Sequence, residues 1–279
     1  MAERVETRAF TATVVVVGPE ERLVDAGQAL EELGEIGVRA ILISEGDQVS
    51  PEARVAADVV EISGLAPRYL NNAVASLRLS SLPTLVWWRG GSIEALAPLS
   101  SLADRVVLDV ESPDDEWRRA SDYFEHTALT DLRWARLTRW RSALAHLFDL
   151  PQVAESASMF RRLSIEAIDP YAGRLFAGWL QSCLHWSGVT IEIAESRDAE
   201  DDAPPLTRVK LEAKNLSISL DLRPGHGCLA ATVEGVDAST RIVPLGDGSL
   251  ASLMAEELGV RSRDFAFEQA LMAAKEIKG

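Results

Sequence analysis

Leu82-Pro-Thr-Leu-Val-Trp-Trp88 is apolar at nearly every position and is closed by Arg89-Gly90-Gly91. A strand with one wet face alternates, so an unbroken apolar run fits a central strand of a sheet covered on both faces. The flanking sequence supplies the rest of such a sheet. Phe10 to Val17 is a β-branched run ended by Gly18-Pro19, and Glu20 to Leu33 carries Leu23, Ala26, Leu30 and Leu33 at helical spacing before Gly34. Val38 to Ser44 reads as a second strand, and Val55 to Ser63 contains a third around Asp58-Val-Val-Glu-Ile62. Pro67 opens a helix with Leu70, Val74 and Leu77 on one side; Leu96 to Leu102 is a short helix and Arg105 to Val110 a fifth strand. This βαβα order predicts a doubly wound, mostly parallel α/β sheet over roughly the first 125 residues.

The pattern then changes. Trp134, Leu137, Trp140, Leu144, Leu147 and Phe148 recur at three- and four-residue steps, which predicts one amphipathic helix from Asp131 to Leu150, with Asp131 near its start and Pro151 as the stop. Arg162 to Ile168 alternates like a strand, and Tyr171 to Trp186 is a helix. Strands follow at Val189 to Ala194, Thr207 to Ala213, Asn215 to Arg223 and Cys228 to Glu234, linked by the acidic stretch Asp198 to Asp202 and by Pro224-Gly-His-Gly227. That spacing predicts an antiparallel meander in a smaller α+β domain, completed by helices at Ser249 to Leu258 and Phe265 to Ile277. The expected division is therefore 1–150, Rossmann-like α/β with the Trp/Arg helix, and 151–279, α+β, with the boundary near Asp149 to Glu155. All seven tryptophans fall between Trp87 and Trp186, which points to the expected junction as a packing and recognition region.

Charge narrows the function classes. With 43 acidic against 28 basic residues the net charge is -15, which opposes general affinity for nucleic acid or an anionic membrane. No apolar run reaches membrane-spanning length, and Met1 to Arg8 lacks the apolar core of a signal peptide, so a cytoplasmic protein is expected. Cys183 and Cys228 give no disulfide framework and read as two buried free thiols. Only four of the 28 basic residues are lysine, so single arginines carry little weight while clusters with tryptophan carry more.

Motifs of chemistry are scarce. The first strand leads into Gly18-Pro-Glu-Glu-Arg22 rather than a glycine-rich phosphate turn, and there is no G-x-x-x-x-G-K-[ST] sequence. Gly90-Gly91-Ser92, beside Arg89, offers backbone N–H groups to an anion at the start of the next helix, although two adjacent glycines more often make an ordinary turn. His126, His146, His185 and His226 show no metal spacing, and Cys183 and His185 point to different sides of one helix. Neither a catalytic set nor a cofactor or metal is expected. Arg133, Arg136 and Arg139 advance in steps of three, with Arg141 offset. They read either as a solvated helix face or, with Arg89, as a grip on an anionic group.

Four blocks together resemble a known family. Leu82-Pro-Thr-Leu-Val-Trp-Trp-Arg-Gly90, Asp104-Arg-Val-Val-Leu-Asp109, Asp131-Leu-Arg-Trp-Ala-Arg-Leu-Thr138 with Trp140-Arg141, and Ala177-Gly-Trp-Leu180 with Trp186 are similar, in order, to the glucose-6-phosphate dehydrogenase assembly protein (OpcA) family of cyanobacteria and actinobacteria. The resemblance implies a non-enzymatic accessory protein that binds glucose-6-phosphate dehydrogenase and favours its active oligomer. Its partner-binding residues are expected to be Trp87, Trp88, Arg89, Arg133, Trp134, Arg136, Arg139, Trp140 and Arg141. The alternative is a sugar-phosphate- or nucleotide-binding protein or enzyme whose arginines hold phosphate, and an activator that senses a phosphorylated metabolite lies between the two. Arg139 stands where the family often has proline, which implies a more regular helix here. With two cysteines, the thiol control associated with cyanobacterial members is not expected.

Overall fold

The computed structural model describes residues 9–34, 36–196, 204–223, 225, 227–235, 238–260 and 262–277. Met1 to Arg8, the acidic stretch from Asp198 to Asp202, Pro224 and His226 lie outside the described residues. The chain opens with β1 (Ala12–Val17), α1 (Glu20–Glu32), β2 (Val38–Glu45), β3 (Glu52–Ala56), β4 (Val59–Leu65) and α2 (Pro67–Leu77). There follow β5 (Thr84–Trp88), α3 (Ile93–Ser100), β6 (Arg105–Leu108), α4 (Asp114–Tyr123) and β7 (Ala128–Asp131). Next come α5 (Leu132–Arg136), α6 (Thr138–Phe148), α7 (Pro151–Glu155), β8 (Arg162–Ala167) and α8 (Pro170–Leu184). The strands β9 (Thr190–Glu195), β10 (Leu206–Glu212), β11 (Ser217–Arg223), β12 (Cys228–Glu234) and β13 (Ser239–Pro244) lead to α9 (Leu250–Gly259) and α10 (Phe265–Ala274).

Contacts divide the described chain into two compact units, Met1–Asp131 with Ser249–Arg263, and Leu132–Gly248 with Asp264–Gly279. The division falls earlier than the 150/151 boundary expected from the sequence. It also returns α9 to the first unit, which hydrophobic periodicity does not reveal.

In the first unit, among the described residues, the sheet order is β3-β4-β2-β1-β5-β6-β7. Every pairing is parallel except that of β3 with β4. The doubly wound, mostly parallel α/β reading therefore holds. The third strand of the sequence reading is a hairpin, with Ala57 at φ 48° between its arms. All six residues of β1 and all five of β5 are buried, which is why neither alternates. The chain leaves β1 toward β2 and later returns to the other side of β1 as β5. The carboxyl ends of β1 and β5 thus form the topological switch point, where open α/β sheets usually place a ligand.

The second unit is built on a sheet of order β13-β12-β11-β10-β8-β9. β10 to β13 form the expected antiparallel meander, while β8 and β9 are parallel and joined through α8. Leu163, Ile165, Val209, Leu211, Ile218 and Leu220 alternate into the core. α10 packs along α8, and the approach is so close that a Cβ on Gly178 would lie 2.7 Å from the Ala274 nitrogen and closer still to the Ala270 carbonyl oxygen. This contact explains the glycine in Ala177-Gly-Trp-Leu180. Gly178→Ala is expected to cost about 2 kcal/mol through overpacking, read as a lower urea midpoint at unchanged slope.

Candidate functional site

Two arrangements concentrate the chemistry, one in each unit. At the switch point of the first, Arg89 follows β5 and is 4% exposed. Its Nε donates to Asp109 Oδ2 at 2.8 Å, and its two terminal nitrogens grip both oxygens of Asp25 on α1. Asp109, just after β6, also accepts the Trp87 indole N–H at 3.1 Å and pairs with Arg22 at 3.4 Å. Arg22 donates in turn to the Arg89 carbonyl at 3.3 Å. Both guanidiniums in this crevice are thus neutralised by the chain's own acids. Burial, the largest influence on Arg22, lowers its pKa against the opposing pull of Asp109.

The neighbouring anion site is filled in the same way. Gly90 and Gly91 have φ of 138° and 136°, conformations that favour glycine. A Cβ on Gly91 would lie 2.9 Å from Glu45 Oε1. The other Glu45 oxygen accepts the Ser92 N–H at 2.7 Å, at the start of α3. A carboxylate of the chain therefore stands where the sequence reading allowed a phosphate. Gly18, Glu21, Arg22, Glu45 and Glu111 are among the residues lining the remaining cleft, about 480 Å³ in volume, and its acids oppose phosphate. Burial raises the pKa of the Glu45 carboxyl, the Ser92 N–H opposes that shift, and Glu94 adds to it.

In the second unit, α5 ties down two other helices. Asp169 caps α8, its Oδ1 accepting the Tyr171 N–H at 2.9 Å, while its Oδ2 accepts from Arg133 Nε. Asp264 caps α10, its Oδ1 accepting the Phe267 N–H at 3.0 Å, while its Oδ2 accepts the Trp134 indole at 2.8 Å. Neighbouring residues of α5 thus hold the caps of both helices that pack together. The single helix expected from Asp131 to Leu150 is interrupted at Leu137, even though Arg139 replaces the family's proline. The Thr138 hydroxyl donates back to the Trp134 carbonyl at 3.5 Å, a back-bond of the kind that bends helices. Asp131 ends β7 instead of opening a solvated helix, and accepts the Trp117 indole at 2.9 Å.

These positions correct the expected docking set. Trp87, Trp88 and Trp140 are 0% exposed, Trp134 5%, Arg89 4% and Arg133 8%, so their surfaces are spent inside the chain. Trp88 donates to Glu116 at 3.1 Å. The Trp140 indole N–H is buried without a hydrogen-bond partner. Arg141 is half-buried, its guanidinium 3.2 Å from the centre of the Trp134 ring. Only Arg136 and Arg139 stand exposed, and among the described residues neither has an ion-pair partner. Cys183 is exposed and Cys228 half-buried, so the expectation of two buried thiols is also corrected. The acids that organise both centres, Asp25, Glu45, Asp109, Asp169 and Asp264, were missed as site residues. For Asp169 and Asp264 a signal existed, an aspartate immediately before a helical run. For Asp25 and Glu45 none did.

A family model described as the C-terminal domain of the glucose-6-phosphate dehydrogenase subunit (OpcA) matches residues 127–271, more than half of the chain. The chain belongs to the OpcA family. An OxPP cycle protein OpcA of Nostoc punctiforme is 26% identical over 157 residues, covering 51% of this chain and 33% of the relative. Its counterpart in Synechocystis sp. is 28% identical over 131 residues, covering 43% and 27%. The alignments thus span a third or less of these curated relatives. The Trp-Trp-Arg-Gly sequence that ends β5 lies outside the family-model match, whereas α5 and α6 lie within it. An aldose-aldose oxidoreductase of Caulobacter crescentus, in a structure with glycerol, shares the fold with TM-score 0.53 at 10% identity over 95% of both chains.

Two measurements test this geometry. Arg89→Ala removes the guanidinium that joins Asp25 to Asp109 and leaves Asp109 with Arg22 alone, which is expected to cost about 3 kcal/mol of unfolding free energy. Glu45 has its folded pKa raised, so the folded state holds the proton more tightly. Stability from this group is fully present below the unfolded pKa of about 4 and is lost as pH rises through the folded value. Glu45→Gln is therefore expected to melt with the native chain at about pH 4 and above it at neutral pH. A lower melting temperature at neutral pH would show that the Ser92 N–H requires the negative charge.

Proposed function

We propose that this OpcA-family chain is a non-enzymatic accessory protein that binds glucose-6-phosphate dehydrogenase and favours its active oligomeric state. The observation that carries the reading is the self-occupied switch point. Where an oxidoreductase-like fold would receive a phosphate-bearing ligand, Glu45 takes the Ser92 N–H and Asp25 and Asp109 hold Arg89. The chain's affiliation supports the choice of partner, since the matching family model describes a subunit of that dehydrogenase. Both curated relatives carry the name of a protein of the OxPP cycle.

The docking surface in this reading contracts to Arg136 and Arg139, with Arg141 at its edge. Exposed guanidiniums without internal partners suit carboxylates on a partner, and they stand out on a chain of net charge -15. Such a protein acts by preferring the active assembly, and its effect is bounded by that difference in affinity. The sugar-phosphate alternative loses its best location, because Arg89 is already neutralised by two aspartates. We expect the dehydrogenase of the source organism to show a saturable rise in rate, or a lower substrate requirement, when the purified chain is added. The chain alone is expected to turn over no glucose 6-phosphate. Charge reversal in an R136E/R139E chain is expected to raise the concentration for half-maximal effect by about tenfold or more, with an unchanged melting temperature. An equal response from native and reversed chains would exclude this surface. No response to the native chain would exclude the accessory role.

A further inference from the structure

We propose that the open edge of β3 pairs with the same strand of a second copy of this chain, antiparallel and about a two-fold axis at Ala53. β3 ends the sheet of the first unit, and all five of its residues are exposed. The opposite edge strand, β7, is buried at all four positions. An unpaired strand presents a row of N–H and C=O groups, and proteins usually blunt it with lysine, proline or a covering element. β3 contains neither lysine nor proline, and its Val55 is 74% exposed. Val49, shortly before the strand, is fully exposed.

Register shows which groups face outward. The Ala40 N–H donates to the Asp58 carbonyl at 3.0 Å, so the parallel β2–β4 ladder uses the even-numbered residues of β4. Val59, Glu61 and Ser63 therefore turn toward β3, opposite Ala56, Arg54 and Glu52. Hydrogen-bonding groups alternate between the two sides of a strand, so Ala53 and Val55 direct their N–H and C=O groups away from the sheet. With the axis at Ala53, the two Ala53 residues exchange both hydrogen bonds. Each Val55 N–H then meets the Pro51 carbonyl of the other copy, and Pro51, which has no N–H, leaves no donor stranded there.

The same register makes the side chains self-complementary. Glu52 falls opposite Arg54 of the other copy, and Arg54 opposite its Glu52, at the ladder positions where side chains lie closest. Within one copy these two charges make only a 3.9 Å contact, with side chains 73% and 79% exposed, so both are available. Glu61, opposite Arg54 on β4, gives each arginine an acid on either side. On the other face Ala53 and Val55 extend the row begun by the buried Ile62 and Val60. The exposed edges of the second unit lack this pattern: the charged residues of β9 are all acids, and β13 carries a single arginine. A chain of net charge -15 repels its copies, so contact needs a segment whose own charges balance, as Glu52 and Arg54 do. The interface is small beside the about 1,000 Å² of a stable one, which makes the dimer weak. The inference is independent of the docking reading, since β3 lies in the first unit and Arg136 and Arg139 in the second.

The test is sedimentation velocity on the full chain alone, over a concentration series reaching the high-micromolar range. The native chain is expected to show a sedimentation coefficient that rises with concentration toward that of a dimer. E52R sets arginine against arginine at both symmetric positions and is expected to weaken dimerisation about tenfold or more. It also lowers the net negative charge, which by itself favours association, so a loss reports the local contact. E52R/R54E/E61R has the same net charge as E52R but inverts all three signs together, and is expected to restore the native behaviour. All three side chains are exposed, so both variants are expected to keep the native melting temperature. Should the triple variant fail to fold, E52R decides alone. A native chain that stays monomeric throughout, E52R dimerising like the native chain, or a folded triple variant that stays monomeric overturns the inference.

Discussion

The carboxylate of Asp109 is the point on which the first unit turns. It accepts from the Trp87 indole and from Arg89 through one oxygen and pairs with Arg22 through the other. Without such an acceptor, each buried N–H would cost about 1–3 kcal/mol, and more where the donor is charged. Similar carboxylate acceptors recur: Glu116 for Trp88, Asp131 for Trp117 and Asp264 for Trp134. Part of the acidic excess of this chain therefore works inside it, as the set of acceptors that lets tryptophan and arginine be buried.

The same interaction organises the second unit through helix caps. Asp169 and Asp264 each face two ways, one oxygen toward the first turn of a helix and the other toward α5. A short helix of five residues gains definition because its side chains are fixed by the ends of two longer ones. Those longer helices meet at Gly178, where only a missing side chain permits the approach. Dense Trp/Arg sequence is thus explained first by architecture. What is left for recognition is the small remainder that the caps and the acidic acceptors do not use.

The switch point carries the functional argument because position and occupancy disagree with each other. Strand order puts an open crevice at the ends of β1 and β5, while the side chains there satisfy one another. Glu45 is the informative residue. Its carboxyl is held above its ordinary pKa by burial, against the helix-terminal N–H that it accepts. A carboxylate kept at some cost in that position takes up the helix-terminal N–H that an anion would otherwise accept.

The sequence by itself determined the layers and most of the order of elements. The unbroken apolar runs at β1 and β5, the alternation from β8 to β12 and the helical spacing of α1 and α2 are local signals. Each follows from which faces of an element are covered, and that is written in neighbouring residues. The four motif blocks also led to the family. Tertiary structure alone decided exposure. Trp87 and Arg89 have the composition of a docking surface, and only contact with Asp25, Asp109 and α1 shows that they are consumed internally. Arg136 and Arg139 have the same composition as Arg133, yet they face solvent because no cap carboxylate reaches them. The return of α9 to the first unit was equally illegible, since Arg105 and Glu257 meet across 152 positions of the chain. Periodicity reports what an element turns toward a core, whereas the partner of a charged side chain is chosen by the fold.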